Sequence, residues 1–127
     1  MDMGMTAITG KIVEYALDGL SLRHSAIAAN IATANSTGYR PLRVSFESNL
    51  SGLLGQSTGS PPFGPTPSEL PTPQVFAAPP ISESLRHRAL ENEIVQLNRN
   101  VLQYQALIKG LDKYTAVIST AINEGRR

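Results

Sequence analysis

Cysteine and tryptophan are absent from this 127-residue chain, and aromatic residues make up only 6% of it. Without cysteine there is no disulfide, no thiolate nucleophile and no zinc–thiolate site. With so few large aromatic side chains, a bulky compact core is not expected. Charge of either sign is also scarce: 11 Lys and Arg stand against 10 Asp and Glu, a net charge of +1. Residues 1–50 hold four basic and four acidic groups, residues 51–81 hold Glu69 alone, and residues 82–127 hold seven basic and five acidic. No basic face emerges, so a nucleic-acid partner is not expected. No polybasic cluster offers itself to an anionic bilayer either. Apolar runs fall far short of the roughly 20 residues that span a membrane, so direct membrane insertion is not expected. The stretch Met1-Asp2-Met3-Gly4-Met5-Thr6 lacks a cationic segment leading into an apolar one, so no cleaved signal peptide is expected.

What the chain does have is heptad periodicity. Val13, Leu17, Leu20, His24, Ile27, Ile31 and Ala34 are spaced alternately four and three apart. The spacing predicts a helix over 6–35 with one polar interruption in its seam, and Ile8, Ile12 and Ala16 widen the stripe. Asn35 and Gly38 suit the left-handed conformation that ends helices, and Pro41 stops any continuation. Leu42 to Phe46 alternate apolar and polar, the period of a short strand or extended arm, with no obvious partner strand following. A second helix is predicted over 82–124. Leu90, Ile94, Leu97, Val101, Tyr104, Ile108, Leu111, Thr115, Ile118 and Ile122 repeat the four–three step without a break. Ser82 and Ser84 are candidate N-caps. Gly110 marks either a close helix approach or a harmless exposed site.

Eight of the nine prolines fall within residues 51–80, among many glycines and serines. Such a segment cannot bury enough apolar surface to offset its ordering entropy. The expected fold is all-α: two long amphipathic helices in an antiparallel, coiled-coil-like hairpin, with a short extended arm and a Pro/Gly/Ser-rich, largely disordered connector. One assembly domain divides into 1–50 (first helix, turn and arm), 51–81 (connector) and 82–127 (second helix). A two-helix pair has a thin core and seeks further helices.

Chemistry finds little purchase. His24 and His87 have no second histidine at ligand spacing, so no metal site is expected. Glu91 and Glu93, two apart on a helix, point away from each other and make a poor acid–base pair. Gly52, Gly55, Gly59 and Gly64 lack the residues of a phosphate-binding loop. No cofactor and no enzymatic activity are expected. A binding role remains open, in which a helical hairpin presents its Pro-rich connector as the recognition element.

The stretch Ala29-Asn30-Ile31-Ala32-Thr33-Ala34-Asn35-Ser36-Thr37-Gly38-Tyr39 carries the most specific signal. With residues 16–46 around it, it resembles the flagellar basal-body rod family, whose pattern reads roughly A-x-N-I-A-N-x-x-T-P-G-Y. The motif residues are Asn30, Ile31, Ala34, Asn35, Gly38 and Tyr39. The chain departs by having Thr33 at the usual second Asn and Ser36-Thr37 in place of Thr-Pro, which loosens the turn. Glu91-x-Glu93, Leu97-x-x-Asn100-x-Leu102-x-Tyr104-Gln105 and Ala121-Ile122 resemble the C-terminal helix of the family's proximal rod subunit. The resemblance implies a structural protein of motility, exported unfolded by the flagellar type III apparatus with an uncleaved signal. It implies polymerisation in the periplasmic rod of the basal body. The implied partners are copies of the chain itself, other rod subunits, FliE, and membrane-ring and export-gate proteins. Helix packing would run through Val13, Leu17, Leu20, Ile27, Leu90, Ile94, Leu97, Val101, Tyr104, Ile108, Leu111, Ile118 and Ile122, and Tyr39 would anchor against a neighbour.

Overall fold

A computed structural model describes residues 3–56 and 71–125 of the chain. The described residues are mostly helical, with one small sheet. Helix α1 spans Met3–Thr33, strand β1 Leu42–Ser45, helix α2 Glu47–Gln56 and strand β2 Gln74–Ala77. A single 3-10 turn at Glu83–Leu85 leads into helix α3, Arg86–Gly125, which is 40 residues and so about 60 Å long. No described helix is long and apolar enough to cross a membrane.

Helix α1 is proline-free and rich in alanine, the residue with the least side-chain entropy to lose. It ends where its backbone carbonyls find other donors: the Thr33 hydroxyl donates to Ala29 O at 2.8 Å, and Ser36 N–H to Thr33 O at 2.9 Å. Gly38 then takes φ +71°, a region that disfavours any side chain, and the chain reverses into β1.

The expectation of an all-α chain gives way at β1. Its partner is β2, antiparallel, in the register Leu42↔Ala77, Arg43↔Phe76, Val44↔Val75 and Ser45↔Gln74. Ala78 N–H donates to Pro41 O at 2.7 Å and Ile81 N–H to Tyr39 O at 3.1 Å, so the ribbon continues beyond the strands. The connector expected over 51–81 is therefore ordered at both ends, as the last turns of α2 and as β2, while residues 57–70 lie outside the described residues. Proline density hid β2 because its prolines flank the strand and leave Gln74–Ala77 free to donate.

The core sits where α1, β1 and α2 meet. Leu20, Ala26, Val44 and Phe46 are buried together, with Tyr15, Leu22, Leu42, Leu50 and Leu107 packed around them. Gly19 makes this possible: a Cβ there would lie 2.5 Å from carbons of the Phe46 ring. The Tyr15 and Phe46 rings meet edge to face, 6.4 Å apart at 72°. Asn49 of α2 donates to Tyr15 Oη at 3.1 Å, and the Tyr15 hydroxyl donates to Pro71 O at 2.8 Å.

Helix α3 meets α1 on a face that the apolar spacing did not predict. Its fully buried residues are Glu93 and Asn100, seven apart, and Arg86, Leu107 and Tyr114 continue their row as half-buried neighbours. The expected stripe lies beside this row, roughly 70° round the helix. Leu90, Leu97, Val101, Ile108, Leu111 and Ile118 are half-buried, while Ile94, Tyr104 and Ile122 are 46%, 39% and 52% exposed. On α1, Leu20 and Ile27 are buried, as is Ala34 just past its end; Val13, Leu17 and Ile31 are half-buried, and His24 is exposed. Ile8, Arg126 and Arg127 fall outside the residues whose side chains are described.

Candidate functional site

The end of α1, the turn after it, β1 and the buried row of α3 converge on one carboxylamide, Asn30. It is only 1% exposed. Its Oδ1 accepts the Leu42 N–H at 2.7 Å, and its Nδ2 donates to Leu42 O at 2.9 Å. Antiparallel alternation turns the Leu42 amide and carbonyl away from β2, so they face α1 and need partners there. The Asn30 side chain supplies both, as a residue of a third strand would. The second Nδ2 hydrogen goes to Glu93 Oε2 at 3.1 Å. Every donor and acceptor group that an asparagine side chain offers is thus engaged.

Glu93 is 1% exposed and pairs through its other oxygen with Arg43 Nη1 of β1 at 2.7 Å. Arg43 stays about one-third exposed, so the pair is dry at one end and wet at the other. Tyr39 lies beside it, 3% exposed, with a buried hydroxyl that has no hydrogen-bond partner. Burial, then the Glu93 carboxylate, push the Tyr39 phenol above its ordinary range, against a smaller pull from Arg43. Tyr39 is therefore sunk within its own chain, 3% exposed, rather than offered at the surface as the resemblance implied.

The other end of β1 is held in the same manner. Arg23 of α1 donates through Nη2 to Val44 O at 2.8 Å, pairs through Nη1 with Glu47 Oε1 at 2.5 Å, and lies 4.7 Å over the Phe46 ring. Burial raises the Glu47 carboxyl, but the Arg23 hydrogen bond and charge and the backbone amides of Glu47 and Phe46 outweigh it and hold the group below its usual range. Two side chains of one helix, Asn30 and Arg23, thereby satisfy the inner edge of the strand.

Compared with models of known protein families and with curated proteins, the chain matches none.

Of the motif residues, Asn30 and Tyr39 meet around Glu93, Ala34 is buried below them, and Gly38 makes the turn. Ile31 is half-buried, and Asn35 is exposed and lends only its carbonyl, to Arg86 Nη1 at 3.4 Å. Glu93, Arg43, Arg23, Phe46 and Gly19 were missed as site residues. The only local signal for Glu93 was its seven-residue row, Arg86, Glu93, Asn100, Leu107 and Tyr114, whose two apolar members give the row a face that can be buried and whose polar members then need partners. Asn100 donates to Leu20 O at 2.8 Å, while its buried Oδ1 has no partner. His24 lines a groove of about 310 Å³ between α1 and α3, with Leu20, Ser21, Val101 and Tyr104. His87 pairs with Glu91 at 3.2 Å on the open surface, one turn along α3.

Proposed function

We propose that the chain is a structural subunit of the bacterial flagellar basal body, a proximal rod protein of the FlgB type. In this reading α1 and α3 form an antiparallel hairpin. The supporting contacts run in opposite directions along the two helices: Asn30 meets Glu93, Leu20 meets Asn100, and Ala16 shares a groove with Leu107. Other rod subunits and further copies of the chain pack against the hairpin, FliE and the membrane ring lie at its base, and the chain reaches the periplasm by type III export without cleavage.

One observation carries the assembly reading. The stripe from Leu90 to Ile122 contains no charged residue at any of its ten seam positions, yet Ile94, Tyr104 and Ile122 on it are exposed. An uncharged heptad seam about 48 Å long, left half-covered by its own chain, suits a helix supplied by another subunit. The groove beside His24 opens on the same side.

Ile94→Asp and Ile122→Asp place charges on positions that are already exposed, so the monomer should keep its helicity by circular dichroism. Both should abolish incorporation of a tagged copy into purified basal bodies, scored by electron cryomicroscopy of the rod base. Normal incorporation and motility with both variants would sink the rod reading. The alternative, a binding module that uses its Pro-rich connector for recognition, draws on Val75 and Phe76 near the connector's end, which stand 45% and 52% exposed on β2. Val75→Ser combined with Phe76→Ser should destroy partner capture if the binding-module role holds and leave rod incorporation largely intact if the rod role does.

A further inference from the structure

We infer that Glu93 makes docking of the β1–β2 ribbon a condition for α3 to pack on α1. The carboxylate sits on α3, 1% exposed, and its two charge-satisfying partners come from two other elements, Asn30 on α1 and Arg43 on β1. Packing α3 on α1 brings Glu93 against Asn30 whether or not the ribbon is in place. Without the ribbon, the carboxylate is held in the helix interface by one neutral donor and loses Arg43, the cation that pairs with it among the described residues, a state that is strongly penalised. Asn30 suffers as well, because both of its bonds to Leu42 vanish and only the one to Glu93 remains. The penalty falls on the undocked state alone. Helix pairing and ribbon docking therefore become one event, although the covalent chain allows them to be two. Arg43 is the key in this arrangement, and its position, about one-third exposed, lets it approach from solvent. The inference stands on contacts within one chain and is independent of the rod reading.

The test is hydrogen–deuterium exchange of the full chain, read on peptides covering the ribbon (39–46) and α3 (90–104). Arg43→Ala should speed exchange by at least about tenfold in both peptides together. Glu93→Gln removes the charge and keeps an acceptor. In the double variant the ribbon should remain fast while α3 regains most of its protection. If Arg43→Ala fails to fold, the double variant should fold, by circular dichroism. The inference is overturned if Arg43→Ala loosens the ribbon alone. It is equally overturned if the double variant is as loose in α3, or as unfolded, as Arg43→Ala.

Discussion

At Tyr39 the ring is useful and the hydroxyl is a burden. The hydroxyl is buried without a partner next to a carboxylate, so removing it leaves nothing unsatisfied. Tyr39→Phe should hold the thermal midpoint or raise it, by up to about 1 kcal/mol of stability. The phenol's pKa is raised on folding, so its neutral form contributes stability that is complete below the ordinary value of 10.0 and is lost as pH rises through the folded value. The alkaline limb of the stability curve should flatten in the variant. Gly19 offers the opposite case. Alanine gains about 1 kcal/mol of helix propensity, but its Cβ would stand 2.5 Å from the Phe46 ring. Overpacking of that kind costs about 1–3 kcal/mol. Gly19→Ala should therefore destabilise in urea, whereas Gly110→Ala, with nothing within 4 Å, should stabilise by about 1 kcal/mol.

Among the elements, β1 depends on side chains from α1 at both ends, and the Arg23–Glu47 pair joins α1 to α2. The Glu47 pKa is lowered in the fold, so its contribution is present above the unfolded value of 4.5 and is lost as pH falls through the folded one. Its carboxylate is more than half exposed, so the pair is screened and contributes about 0.2–1 kcal/mol. Urea midpoints measured from pH 6 down to pH 3 should fall less steeply in Glu47→Gln. The long helices and the turn were legible in the sequence because each follows from a local rule: heptad spacing, alanine content, a glycine before a proline. The strand β2 was not, because an exposed four-residue strand shows no alternation and is specified by the register of β1. Helix α2 was obscured too, since Gly52 and Gly55 interrupt the Leu50, Leu53 and Leu54 spacing. The facing side of α3 was misjudged for a third reason. Apolar spacing finds the greasiest stripe, but here polar Glu93 and Asn100 are drawn inward by partners 63 and 80 residues away, which no local window contains.

For the whole molecule, the buried apolar set among the described residues is small: Ala16, Leu20, Ala26, Ile27, Ala34, Tyr39, Val44 and Phe46, three of them alanines. Such a core gives a marginal monomer, so association should show up as stability. The thermal midpoint of the purified chain should rise with protein concentration, and a midpoint constant over a hundredfold dilution would argue against self-association.

The bond between Asn30 and Glu93 also sets an order in time. A chain emerging with its first residues in the lead presents Asn30 long before Glu93, with 63 positions of separation still to be delivered. During that interval the first helix can form, but the pocket around Asn30 has no acid to close it. The protein is thus built to wait: whatever threads or synthesises it handles a half-finished, unlatched chain until almost three-quarters of its residues have passed.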